Sequence, residues 1–483
     1  MGVTNPCRVL PWSLLLALSA PIFAQDGPHF RGPNGDNSLP DAKIVTSFPK
    51  DGPKILWSVD VRAGYGGAAI SGEEVFFMDR VDQEKDLLVC VSLKDGKEKW
   101  KFEHDVPGRI SHPGSRVVPT VEEDAVYGSG GFGHVYCVDR KTGKERWVLD
   151  VTKSFETRVP RFGYSVHPVI YGDTCIIAPS GKSVGLAALD KKTGKTLWRT
   201  KTIGGSHSSP ILVKLLDREM LVMPGSSRGT LMLTGFDPMD GKQLFRYTEP
   251  LSARMHNSIP NISVINTDTA FLSGGYGQGS QVLKFTENDG SISVKKSNTL
   301  TAGTKLHPAL IIGDKVFMTV GSGRGGRGRF GRRGGRERGG PRGRPQGRPS
   351  GRPGEEPAGR PGGAPGGRPQ GRPGGAPQAG TASGSGLVCM DSSGKVIWST
   401  GSKPGLGEGS IINAGSIIIS QDGGDGTLRL IEPGPAYKEL ASAKVFSKSP
   451  GREIWAPMAL SNGKLVMRSQ AQMVCVDLSP PKE

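Results

Sequence analysis

The stretch His134–Trp147, HVYCVDRKTGKERW, recurs along the chain at a nearly fixed interval, and this recurrence constrains the fold more than any other feature. The unit reads as strand, tight turn, strand. Apolar residues alternate up to Asp139, Lys141-Thr142-Gly143-Lys144 makes the turn, and the return strand ends on Trp147. Gly143 adopts positive φ without a Cβ penalty, and the Asp139 carboxylate can accept N–H bonds from the turn. Good copies are Leu88–Trp100, Leu186–Trp198, Leu233–Phe245 and Val388–Trp398; weaker ones are Val282–Val294 and Leu428–Val445. The anchors Trp100, Trp147, Trp198, Phe245 and Val294 stand 47, 51, 47 and 49 residues apart. A period of this size with several strands per unit predicts a β-propeller.

Each unit also carries an innermost strand with a recurrent proline: Pro119, Pro168, Pro210, Pro260, Pro308 and Pro457. Proline is tolerated there because one edge of an innermost strand is unpaired. Trp57 in Ile55–Val61 matches the Trp place of the repeat but has no strands of its own before it, whereas the C-terminal Met473–Leu478 lacks a strand after it. The expected architecture is therefore all-β, an eight-bladed propeller with seven contiguous blades and an eighth shared by the two ends, which removes two exposed edges. Asp139, Gly143, Trp147, Asp190, Gly194, Trp198, Trp57, Trp100 and Trp398 are read as structural members of the repeat.

The 483 residues divide into a signal peptide at 1–24, an irregular lead-in at 25–54, and a propeller at 55–320 and 387–478. An Arg/Gly/Pro-rich insertion at 321–386 interrupts blade six between its second and third strands. That insertion carries 14 Arg and 3 Glu, +11 of the net +17, and leaves only +6 for the rest of the chain. With almost no apolar side chains it is expected to be a disordered tether or a polyanion-binding arm. The folded part is too weakly basic for a nucleic-acid footprint, and no nucleic-acid partner is expected. The apolar run near the N-terminus is too short for a membrane span, and the product reads as exported, to the periplasm or the cell exterior, and monomeric. Cys90, Cys137, Cys389 and Cys475 hold one place in their repeats, where Leu186–Trp198 has Ala188, and are expected as small buried residues rather than disulfides.

The candidate ligand site lies where loops enter the innermost strands. His167, His207, His256 and His307 stand at or just before the proline of four consecutive blades, with His112 further ahead of Pro119 in a fifth. Arg109, Arg116, Arg158, Arg161, Arg254 and Trp455 occupy the same connections, as do Tyr164 and Arg452. Arginine forks there could grip carboxylate or phosphate beside an aromatic stacking face, at the mouth of an axial funnel. No metal site is expected, because neighbouring blades hold most pairs too far apart to share an ion.

The repeat V-x-C/A-x-D-x-x-T-G-K-x-x-W, carried by Asp139, Gly143 and Trp147 and again by Asp190, Gly194 and Trp198, resembles the pyrroloquinoline-quinone (PQQ) enzyme repeat. Two eight-bladed classes share it. Quinoprotein dehydrogenases hold PQQ and a calcium ion near the axis; BamB, the scaffold of the outer-membrane β-barrel assembly machinery, holds no cofactor. The FRGPNG lead-in also looks like that of a group of exported PQQ-like proteins. The chain lacks the adjacent Cys pair of the dehydrogenases and the lipid-bearing Cys of the scaffold. The resemblance implies a non-enzymatic module that binds a protein or an envelope or extracellular polymer, or alternatively a PQQ- and calcium-dependent dehydrogenase acting on an alcohol or sugar.

Overall fold

The computed structural model describes residues 26–250, 260–274, 279–321, 386–451 and 453–481. The signal peptide and all but the ends of the 321–386 insertion lie outside them. The repeat folds as its residues dictate. Strands His134–Asp139 and Glu145–Asp150 pair antiparallel around the turn. Asp139 Oδ1 accepts from the N–H groups of Lys141 and Thr142 and from the Thr142 hydroxyl at 2.8–3.1 Å. Gly143 sits at φ +68°.

Eight sheets result, each ordered from an innermost to an outermost strand. Blade one runs from Ala68–Ser71 out to Glu98–Asp105, blade two from Thr120–Val121 to Glu145–Asp150, and blade three from Val169–Tyr171 to Thr196–Lys201. Blade four runs from Ile211–Leu215 to Gln243–Pro250, blade five from Ile262–Asn266 to Ser291–Leu300, and blade six from Leu310–Ile312 to Val396–Ser399. Blade seven runs from Ile411–Ala414 to Lys438–Ala443. Blade eight takes Ala459–Ser461, Lys464–Arg468 and Gln472–Asp477 from the C-terminal end, and Lys54–Asp60 as its outermost strand. Trp57 pairs with Cys475 across that closure.

Packing explains the strand sequences. The third strand of blade one, Lys85–Ser92, is buried on both faces because blades stack face to face, so it reads as a continuous apolar run. The outermost strand, Glu98–Asp105, turns only Trp100 and Phe102 inward. The core is accordingly a series of layers between neighbouring blades, such as Cys137 and Trp147 of blade two against Cys175 and Leu186 of blade three. The repeated cysteine also acquires a reason. Trp57, Trp100, Trp147 and Trp398 sit directly across from Cys475, Cys90, Cys137 and Cys389, and Trp198 across from Ala188. Only a small residue leaves room for the indole there. The Phe245 ring needs still more space: its partner is Gly235, where a Cβ would lie 2.1 Å from the ring. All five cysteines of the described residues are free and buried.

Each Trp locks its blade to the next. Trp57 Nε1 donates to Leu93 O, Trp100 Nε1 to Arg140 O, and Trp147 Nε1 to Lys191 O, at 2.8–3.0 Å. The same indoles lie on the turn glycines Gly96, Gly143 and Gly194 of the following blade, where a Cβ would approach within 2.9 Å or less. Trp198 lies likewise on Gly241, and Trp398 Nε1 donates to Gly434 O.

Two features differ from the sequence expectation. The recurrent prolines stand one or two residues ahead of the innermost strands, where they set the approach of the chain, and not within them. The lead-in packs inside the ring. Asp26 accepts from Gly72 N and from the Ser461 hydroxyl, both at 2.7 Å, at blades one and eight. Ile70 N donates to Gly27 O, and Val121 N to Pro28 O. Phe30 stacks on His167 of blade three, and Arg31 donates to Ile262 O of blade five at 3.2 Å. Ser38–Leu39 then joins blade seven as a fifth strand, parallel to Asn413–Ala414. Residues 26–39 thus reach blades one, two, three, five, seven and eight from the inner side. The cavity left beside them is about 10 Å³, room for roughly one water.

Candidate functional site at the rim

In a propeller the loops from an outermost strand to the next innermost strand collect at one end of the axis. Every candidate residue among the described residues lies in such a loop. The structure sorts them into three groups.

His167 and His307 are buried. His167 Nδ1 accepts from Val118 N at 2.9 Å, and its ring lies face to face with Phe30. Burial lowers both imidazoles to about 4. His307 faces the backbone of Trp455, and its Nε2 is buried with no partner among the described residues. Tyr164 belongs to the core between blades two and three. The second group, Arg109, Arg158 and Arg161, is exposed, with the Arg161 guanidinium 5.4 Å from the Phe162 ring. His256, Arg254 and Arg452 lie outside the described residues.

The third group converges. Trp455, Tyr65, His112, Phe162 and His207 form a line of half-buried rings across five loops. Their centroid separations run Trp455–Tyr65 5.4 Å, Tyr65–His112 5.9 Å, His112–Phe162 5.6 Å and Phe162–His207 5.5 Å. Lys305 Nζ stands 4.8 Å over the Trp455 ring while it pairs with Glu408 at 2.9 Å. Glu453 accepts from the Tyr65 hydroxyl at 3.4 Å. Burial lowers His207 to about 4, helped by the positive charge of Arg116.

Arg116 lies beneath this arc. Its guanidinium donates to Gly114 O at 2.7 Å and to His112 O. Gly163 lets it in: a Cβ there would stand 3.2 Å from Arg116 Cζ. Burial pushes Arg116 down to about 10. Among the described residues no carboxylate lies within ion-pair distance of it. The acids below are committed elsewhere. Asp86 takes Arg80 at 2.6 Å and the Tyr136 hydroxyl at 2.9 Å, and Asp79 takes Arg468 at 2.9 Å.

Tyr65 and Phe162 are not among the residues the sequence singles out. The signal for Tyr65 is topological: once Lys54–Asp60 is the last strand of blade eight, 61–67 becomes a rim loop like the others. Phe162 adjoins Arg161 in a rim loop that already supplies four candidates, Arg158, Arg161, Tyr164 and His167.

Comparison with known proteins places these features. The family model described as outer membrane protein assembly factor BamB, of the PQQ-repeat type, matches residues 86–327, half of the chain. The quinoprotein alcohol dehydrogenase PedH of Pseudomonas putida is 25% identical over 210 residues, 40% of this chain and 34% of that protein. The dehydrogenase subunit of a quinone alcohol dehydrogenase of Gluconacetobacter polyoxogenes is 26% identical over 171 residues, 32% of this chain and 22% of that one. The match thus spans about a third or less of these curated relatives. Among solved structures, BamB from Moraxella catarrhalis superposes with a TM-score of 0.51 at 12% identity, over 88% of this chain and 99% of that one. A europium-containing methanol dehydrogenase superposes with a TM-score of 0.55 at 12% identity, over 93% and 90%. These likenesses show the fold. With half its length matched by that model and the repeat present in every blade region, the chain belongs to the PQQ-repeat family described as outer membrane protein assembly factor BamB.

Proposed function

We propose that this protein is an exported, non-enzymatic binding module that engages a protein or polymer of the cell envelope through its rim. The observation that carries this reading is the lead-in packed against the inner side of the blades. Residues 26–39 pack against the inner side of six blades, Phe30 covers His167, and the cavity beside Gly27–Gly32 is about 10 Å³. A tricyclic quinone does not fit in that cavity. The carboxylates beneath the rim, Asp79 and Asp86, are held by buried guanidinium groups, and no cluster of three or more His, Cys, Asp or Glu among the described residues is placed to hold a metal ion. What faces outward is a band of rings and cations, the equipment of a binding surface. No helix among the described residues is long and apolar enough to cross a membrane.

A photo-crosslinking residue at Arg158 in the rim, compared with one at Lys192 on the opposite face, tests the reading in the native envelope. A discrete adduct from position 158 and none from 192 is expected. PQQ- and calcium-dependent oxidation of an alcohol by the purified chain would replace this reading with that of a dehydrogenase.

A further inference from the structure

Resting on the reading of the rim as a binding face, we propose that it takes an acidic glycan: sugar rings lie along Trp455, Tyr65, His112, Phe162 and His207, and a carboxylate or sulfate on the sugar pairs with Arg116.

Three observations lead there. First, Arg116 is a half-buried cation whose hydrogen-bond acceptors are backbone carbonyls, with no carboxylate among the described residues at ion-pair distance; an anion there would answer its charge. Second, the five rings are tilted against one another by 31° to 72°. A flat aromatic ligand needs parallel faces on either side. A succession of tilted faces instead suits a chain of small puckered rings, each presenting a C–H face to its own aromatic. Third, the face is charged to match. Among the described residues the eight rim loops hold ten Lys and Arg against three Asp and Glu, whereas the turns at the opposite end hold ten against twelve. Two of the three rim acids, Glu408 and Glu453, already accept from Lys305 and Tyr65. Exposed Arg109, Arg158 and Arg161 extend the positive field beyond the arc and favour a polymer over a single sugar.

The test uses the full chain and three probes: polygalacturonate, a neutral glucan of similar length, and polyglutamate of matched charge. The Arg-rich insertion adds the same background to every variant, so the ratios are what is read. Polygalacturonate is expected to bind more tightly than either other probe. Trp455→Ala and Phe162→Ala should each weaken it about tenfold while leaving polyglutamate unchanged. Arg116→Gln should remove the preference over the neutral glucan, with Arg161→Gln as a surface variant that tests the same preference without risk to folding. Equal binding of polyglutamate and polygalacturonate, no effect of Trp455→Ala, or no glycan binding overturns the proposal. A glycan failure with rim crosslinks retained would leave the binding-module reading standing; preference for an acidic peptide would move the ligand class to protein.

Discussion

Phe30 lies face to face with His167, ring centroids 3.9 Å apart and planes 2° from parallel. One ring belongs to the lead-in and the other to the approach to blade three, so the stack joins the axial segment to the wall it fills. It also seals the imidazole from water, which is why His167 falls to about 4. Phe30→Ala should return the His167 titration toward the free value near 6.5, read by NMR of the imidazole. It should also cost about 2 kcal/mol of stability, since the ring is only partly buried.

The buried histidines set an acid limit. His167 and His307 both titrate near 4 in the folded chain because of burial, against 6.5 when unfolded. Below 6.5 the unfolded chain takes up protons that the folded chain refuses. Stability is therefore full above about pH 6.5 and declines as pH falls toward 4, by roughly 3 kcal/mol per histidine. Urea midpoints at pH 7, 5.5 and 4.5 should show this slope, and His307→Gln should reduce it.

The blade-to-blade lock separates two costs of a side chain on a turn glycine. Gly194 sits at φ +72° with the Trp147 indole 2.8 Å from where a Cβ would stand, whereas Gly172 at φ +55° has nothing within 4 Å. Gly172→Ala should cost about 1 kcal/mol, for backbone conformation alone. Gly194→Ala should cost about 3 kcal/mol, because the indole must also shift. Thermal unfolding of the two variants checks the difference.

Much of this architecture was legible in the sequence because it repeats. A turn of fixed chemistry and a Trp of fixed spacing fix blade number and register, and the orphan Trp57 fixes the closure onto Cys475. The axial segment was not legible. It occurs once, it is rich in Gly and Pro, and its partners are remote, Arg31 and Ile262 being 231 residues apart. The rim was half legible. His167 and His207 occupy like positions, yet one faces the lead-in and the other the arc, a distinction set by which loop residues reach the axis.

The closure is also held by charge. Arg468 of blade eight pairs with Asp79 of blade one at 2.9 Å, both nearly inaccessible, and donates to Met78 O at 2.7 Å. Arg468→Met leaves a buried carboxylate and several carbonyls unanswered and should cost about 3–5 kcal/mol. The double variant Arg468→Met, Asp79→Leu should recover part of that loss in equilibrium unfolding.

Burial raises the thiols of Cys90, Cys137 and Cys475 to about 12 and that of Cys389 to about 11. Native protein at pH 8 should therefore resist thiol reagents, and all should react once urea opens the blades. Rapid labelling of any of these in the native state would contradict the packing described for them.

The direct measurement of the central claim is uptake of PQQ with calcium by the full chain, followed by equilibrium dialysis and the quinone absorption band. A lead-in packed against the inner side of the blades predicts no stoichiometric uptake and no dye-linked alcohol oxidation. One PQQ bound per chain, displaced neither by salt nor by dilution, would contradict it.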